Sequence, residues 1–365
     1  MATINKRRVT KRGAIVGAGI GVAGAGALGL SKVRHVACFL WPSSAQGYDS
    51  VTMASDIRAI FTEAPFTSCH ASSLAATDTG LAACWFAGTR EGDVDVGIWF
   101  ARRGASGWSA PVLVAQGADD AGRPQPCWNP VLWRGPEGRL LLFYKVGPSP
   151  RAWWGVMMTS DDDGQHWSGS RRLPDGMLGP IKNKPVMLSD GRLLCPSSSE
   201  HDGWRVHFEW TADGGLTWEK SGAVGDGAAF SIIQPTVLVH PGGRLQALCR
   251  SRQGVIVETW SDDGGRHWSA PKRTDLPNPN SGFDGVTLAD GRHLLVYNPV
   301  RRCRSPLCVA VSDDGAKWRG VIILEDGRGE FSYPAVIQAP DGRIHISYTN
   351  RRETISHVVL APETV

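Results

Sequence analysis

Beyond its first 31 residues the chain has no stretch in which apolar side chains recur at helical spacing, so nothing in it argues for a helical fold. It has no dense Lys/Arg stripe with interleaved aromatics outside the N-terminus. Its net charge of +4 is small for 365 residues, which speaks against a nucleic-acid partner. Its eight cysteines include no C-x-x-C pair and no His/Cys spacing of the zinc-binding kind, so neither a metal nor another cofactor is expected. Cys84, Cys195, Cys249 and Cys308 sit inside apolar runs, where a free thiol behaves as a small hydrophobe. Cys303 and Cys308 are the local pair best placed for a disulfide.

Charge and apolar character are concentrated at the start. Lys6 to Arg12 is a basic cluster, and Gly13 to Leu30 is 18 residues without a charge, the layout of an n-region followed by an h-region. The paired Arg7 and Arg8 resemble a bacterial twin-arginine export signal, although the flanking residues of that signal differ. Residues 1–31 are therefore expected to direct export to the periplasm or the outside. No A-x-A cleavage site follows, so the segment could instead stay as a membrane anchor, with residues 32–50 as a linker. Gly19 to Gly24 also matches the dinucleotide fingerprint G-x-G-x-x-G. The strand ahead of it would be three residues long and no βαβ context follows, so it is set aside.

What the rest of the chain has is repetition. A small acidic turn closed by tryptophan starts at Ser160, Thr211, Ser261 and Ser312 and ends at Trp167, Trp218, Trp268 and Trp318, with starts 51, 50 and 51 residues apart. A Gly-Arg turn leading into an apolar run recurs at Gly138, Gly191, Gly243, Gly291 and Gly342, and Asp78-Thr79-Gly80 is a weaker forerunner. A constant period of about 50 residues means stacked supersecondary units, each burying its apolar face against a neighbour. Between these turns lie short strand-like runs such as Leu140 to Tyr144, Leu245 to Cys249, Leu294 to Tyr297 and Ile344 to Tyr348. Several short strands in each of six units predict an all-β six-bladed β-propeller over residues 51–365, with the 44 Gly and 23 Pro serving turns.

The turn S-x-D-x-G-x-x-W resembles the Asp-box of the sialidase superfamily, which lies between the third and fourth strands of propeller blades. The Asp carboxylate accepts backbone N–H bonds, Gly supplies an unusual backbone conformation, and Trp packs between sheets. The resemblance places these turns on the face away from the active site, so Asp162, Asp213, Asp263 and Asp314 are read as structural.

The resemblance also implies site residues. A Tyr nucleophile precedes the last Asp-Gly turn by eight residues in that family, and Tyr333 stands eight before Asp341. A phenol needs a nearby base, which the family supplies as Glu; the corresponding slot, sixteen before Arg250, holds Gln234. Arg250 and Arg304 match two members of an arginine triad that grips a carboxylate. The third place, in the first blade, holds His70. For the general acid, Glu91 within Arg90-Glu91-Gly92-Asp93 is preferred, Asp93 comes second, and Asp95 is read as a cap. Further residues at the loop mouths are Asn129, Lys182, Glu200 and Asn280, with Asp284 or Glu200 as stand-ins for the missing Glu.

These residues lead to the expectation of a monomeric sialidase-like exo-glycosidase that removes a terminal acidic sugar, sialic acid or a related ulosonic or uronic acid, from a glycan. Two rivals stay open. One is a carbohydrate-binding propeller that has lost catalysis at Gln234 and His70. The other is a polysaccharide lyase in which His70, Lys182 or Lys184 moves the proton.

Overall fold

A computed structural model describes residues 51–365. The expected export segment, the glycine motif within it and the linker lie outside the described residues. Six antiparallel sheets form the blades of a propeller. Blade 1 comprises Ser68–Thr77, Gly80–Gly88 and Gly97–Gly104, with Val112–Ala115 on its outer edge; blade 2 comprises Cys127–Arg134, Leu140–Val146, Trp154–Ser160 and Arg171–Arg172. Blade 3 is Val186–Met187, Leu193–Ser199, Arg205–Thr211 and Glu219–Lys220, and blade 4 is Ile232–Val239, Leu245–Ser251, Val255–Ser261 and Lys272–Pro277. Blade 5 is Asp284–Thr287, His293–Tyr297, Leu307–Ser312 and Arg319–Glu325, and blade 6 is Phe331–Gln338, Ile344–Asn350 and Thr354–Leu360.

The ring closes by strand exchange along the sequence. Ile57–Ala59, which precedes blade 1, pairs antiparallel with Thr354–Leu360 as the outer strand of blade 6. Thr52–Met53 covers the outer edge of blade 5 in parallel register. Both segments protect edges that would otherwise offer unpaired backbone. At the same seam the Ala71 amide donates to Thr349 Oγ1 at 3.0 Å, and the Ser72 and Ser347 hydroxyls meet at 2.9 Å.

The acidic turns hold neighbouring blades together. Ser160 Oγ donates to Asp162 Oδ1 at 2.8 Å, and the same carboxylate accepts the His166 amide at 2.9 Å. That amide, with the His166 ring and Ser160, keeps the Asp162 carboxyl well below the usual range. Three of the four box tryptophans stack on or meet an aromatic ring of the preceding blade: Trp167 edge-on to Phe100, Trp218 edge-on to Phe143, and Trp268 stacked on Phe208 at 3.7 Å. Such pairs contribute about 1 kcal/mol beyond area burial. Gly164 is required twice over, by its φ of +82° and because a Cβ there would sit 2.3 Å from the Phe100 ring. Blade 1 lacks the box, yet Trp108 makes the equivalent contact backwards, edge-on to His357 of blade 6.

Strand register separates the two faces. In blade 2, Arg134 pairs with Leu140 and Leu140 with Ser160, the start of the box, whereas Cys127 pairs with Val146 and Val146 with Trp154. The starts of the inner strands therefore lie at the opposite end of the blades from the acidic turns. Cys84, Cys195, Cys249 and Cys308 are buried free thiols. The disulfide expected between Cys303 and Cys308 does not form: Cys303 is disulfide-bonded elsewhere, and Cys308 stays a free thiol packed among apolar side chains inside its strand.

Candidate active site

Four inner strands begin with the same irregularity. Their ladders slip between His70 and Ser73, Trp128 and Val131, Ile233 and Thr236, and Ser332 and Ala335. Inside these bulges Ala71, Asn129, Gln234 and Tyr333 take φ values of +56°, +40°, +52° and +51°. A bulky residue in this region costs on the order of 1–3 kcal/mol and persists where the surroundings over-determine it. The bulges turn side chains from the strands toward the hub at the face away from the boxes.

Tyr333 stands at the centre. Its hydroxyl accepts a 2.6 Å bond from Arg250 Nη1 and a 3.5 Å bond from Gln234 Nε2. Arg250 also donates to Gln234 Oε1 at 3.0 Å and, through Nε, to Asn280 Oδ1 at 2.7 Å. The Arg304 guanidinium lies 5.4 Å from the Tyr333 ring centroid. The His70 ring lies 4.2 Å from it, tilted by 51°. Gly282 permits this arrangement, since a Cβ there would come within 3.1 Å of Tyr333 Cγ.

The sequence motifs left one cation of the site unnoticed. Arg352, in the last hairpin of blade 6, donates through Nε to Glu330 Oε2 at 3.3 Å and bonds Glu91 Oε2 of blade 1 through Nη1. Glu330 Oε1 takes Arg304 Nη1 at 2.5 Å, so one carboxylate braces two guanidiniums. Burial works to raise the Glu330 carboxyl, but Arg304 and Arg352 outweigh it and hold it low. Arg352 and its neighbour Arg351 have φ values of +64° and +55°, the same backbone strain found at the hub. The Arg352 carbonyl accepts the Cys69 amide at 2.8 Å, which seats the guanidinium beside the strand that carries His70. A third arginine is thus present, supplied by blade 6 and not by blade 1. The only advance signal was the charged pair Arg351-Arg352 in a loop, with Glu330 just ahead of Phe331.

His70 is buried, and its pKa falls well below the ordinary histidine value, first because of desolvation and then because of Arg352, Arg304, Arg250 and Lys182. It is a neutral imidazole among four cations, and its Nδ1 has no hydrogen-bond partner among the described residues. An aromatic wall continues from it: Phe86 lies edge-on to His70 at 5.6 Å, then Trp128 and Trp153 follow at 6.1–6.2 Å centroid spacing. One side of the cluster is cationic and the other aromatic. That combination suits a ring with an apolar face and a carboxylate.

Several expected site residues have other roles. Lys182 is enclosed: its ammonium donates to Asn183 Oδ1 at 2.8 Å, to the Phe283 carbonyl at 2.9 Å and to the Pro334 carbonyl, leaving no donor for a ligand. Burial pushes this lysine down to about 7. Asp284 is not a substitute base, because it is buried in an ion pair with Lys184 at 2.9 Å and also accepts Thr236 Oγ1 and the Val336 amide. Glu91 is engaged by Arg352 at the rim and is not held in an apolar pocket. Asp95 caps its turn as expected, accepting the Thr89 amide and hydroxyl at 2.8 Å. Arg90 is exposed and paired with Asp93 at 3.1 Å, and Asn129 is buried in its bulge. Glu200 accepts Trp204 Nε1 at 2.9 Å, and the Trp204 ring lies 5.2 Å from the Arg250 guanidinium. Among the described residues no cluster of three His, Cys, Asp or Glu side chains could hold a metal.

The BNR repeat-like domain family matches residues 79–346. No curated protein matches the sequence. Among solved structures, a protein of unknown function from Dyadobacter fermentans superposes with a TM-score of 0.70 at 18% identity, covering 83% of this chain and 97% of that one. A Hadza microbial sialidase gives 0.70 at 16% identity over 82% of this chain and 66% of that one. The NanB sialidase of Streptococcus pneumoniae gives 0.69 at 12% identity over 87% and 72%. Identities this low establish shared architecture alone. From the family match over most of its length and the six-bladed sialidase architecture, the chain belongs to the BNR repeat-like family as a sialidase-like propeller.

Proposed function

We propose that this chain is a glycosidase that removes a terminal acidic sugar from an exported or surface glycan. The observation that carries the reading is the convergence of Arg250, Arg304 and Arg352 around Tyr333, with all three guanidiniums within one network of bonds and ring contacts. Guanidinium forks hold a planar carboxylate in fixed orientation, which sets the anomeric carbon against the phenol oxygen. Binding of that carboxylate competes with Glu91 for Arg352, and Glu91, once it has taken up a proton from solvent, delivers it to the departing oxygen. Tyr333 Oη forms the bond to the anomeric carbon as the glycosidic bond breaks, and water later releases the sugar. The phenol proton cannot go to Gln234. His70 touches the phenol ring and not its hydroxyl, so the proton goes to water while Arg250 steadies the phenolate oxygen.

The basic cluster and apolar run at residues 6–30 support export. Incubating the purified full chain with a panel of sialosides, ulosonides and uronides tests the function, with Tyr333→Phe as control. Release of one free acidic sugar by the parent and not by Tyr333→Phe supports the reading; full activity in Tyr333→Phe ends it. The carboxamide at Gln234 and the neutral His70 also favour a second reading, β-elimination on a uronate. New ultraviolet absorbance from a 4,5-unsaturated product, with no free sugar, decides for that.

A further inference from the structure

Between blades 2 and 3 a groove of about 730 Å³ opens on the same face as the Tyr333 cluster. Its inner end is built from Trp153 and Glu200, and its walls include Trp154, Arg172, Arg205 and His207. Both inner residues connect directly to the hub. Trp153 is half-buried and packs edge-on against Trp128, which neighbours Phe86, the ring next to His70. Glu200 holds Trp204, whose ring faces the Arg250 guanidinium. The register agrees: Trp154 pairs with Val146, which pairs with Cys127 at the hub end of blade 2, and Ser199, just before Glu200, pairs with Arg205.

The composition of the groove differs from that of the hub. Arg172 is already satisfied by Asp120 and Asp175 and lies over the Trp154 ring at 5.0 Å. His207 is bonded to Glu209 at 2.8 Å. The lining mixes four cations, Arg151, Arg172, Arg205 and Lys220, with three carboxylates, Asp175, Glu200 and Asp202, and the ring at the inner end is Trp153. A floor of this kind favours the apolar face of uncharged pyranose rings, with hydroxyls meeting the polar walls. The volume lies in the range of sites that enclose a small ligand.

We infer that this groove is the subsite for the leaving side of the glycan, an uncharged oligosaccharide stem running outward from the acidic sugar held at the hub. The inference rests on the proposed glycosidase reading. It makes Trp153 the residue that sets preference for chain length.

Calorimetric titration of the full chain with lacto-N-tetraose, a neutral stem, and with its terminally sialylated form separates the two claims. The groove predicts that the neutral tetrasaccharide binds the parent and Arg250→Ala alike at millimolar concentration, and that Trp153→Ala weakens this binding at least fivefold. Trp153→Phe is expected to restore most of it, which distinguishes a stacking platform from a folding defect. Neutral-stem binding that is absent from the parent, or unchanged in Trp153→Ala, overturns the groove whatever happens at the hub. If the stem binds but the acidic sugar adds no affinity that Arg250→Ala removes, the glycosidase reading fails while the groove survives.

Discussion

Arg250 Nη1 reaches both the Tyr333 hydroxyl, at 2.6 Å, and Gln234 Oε1, at 3.0 Å, so one guanidinium ties together the residues in the nucleophile slot and the base slot. Its Nε goes to Asn280, so three different strands or loops are aligned by one planar group. Lysine has neither the fork nor the reach to do this. Arg250→Lys is expected to lower kcat/KM on any substrate by at least about 100-fold, the scale seen when one preorganised donor is lost. Steady-state kinetics measures the loss, and thermal melting guards against unfolding. Retention of more than a tenth of the parent value would mean that Arg250 does not orient the phenol.

Gln234 occupies the slot in which the sialidase resemblance places a carboxylate. Gln234→Glu puts a base against the phenol and turns the Arg250 contact into an ion pair. Turnover of sialosides is expected to rise by on the order of 10²-fold, the usual contribution of a positioned base. An unchanged or lower rate in a well-folded variant would show that the proton leaves by another route.

Gly282 carries no side chain because the Tyr333 ring lies against it. Gly282→Ala places a Cβ 3.1 Å from Tyr333 Cγ, and the ring must shift by a few tenths of an ångström. A displacement of that size at a reacting atom lowers kcat more than it lowers stability. The expected result is a kcat reduced at least tenfold with a melting temperature within a few degrees of the parent.

Lys182 is a buried fastening between blades 3, 5 and 6, with its three donors taken by Asn183, Phe283 and Pro334. Lys182→Met keeps the length and leaves those oxygens unpaired. The predicted cost is about 2–4 kcal/mol. Urea unfolding measures it, and a midpoint equal to that of the parent would contradict the assignment.

Acid should destabilise the seam between blades 6 and 1. His345 Nδ1 and His357 Nε2 meet at 3.2 Å, and burial lowers the two imidazoles to about 4 and about 3. The unfolded chain binds protons at both sites near pH 6.5, while the folded chain resists until lower pH. Their contribution is therefore fully present above pH 6.5 and is lost progressively as pH falls toward 3. Urea midpoints at pH 7, 5.5 and 4 should fall in that order. In His345→Gln/His357→Gln the fall should be shallower; an equal slope would place the acid sensitivity elsewhere.

The repeating turns revealed six blades, the strands within them and the structural role of the box aspartates, because each of these depends on contacts within one 50-residue unit or with the next. Tyr333, Arg250 and Gln234 could also be singled out, through the spacings that the family resemblance implies. Arg352 and Glu330 could not. Their roles come from a bond between the last hairpin and the loop of the first blade, residues 261 positions apart that meet because the ring closes.

Closure likewise decided the fate of Lys182 and Asp284. In the chain they are charged residues near loop mouths and look like ligand contacts. In the propeller they point into the packing between inner strands, where desolvation forces every donor and acceptor to find a partner inside the protein. Local periodicity is written residue by residue and so survives in a linear reading. Which charges gather around Tyr333 and which are sealed between the inner strands depends on how six sheets pack around an axis, a relationship that no single repeat contains.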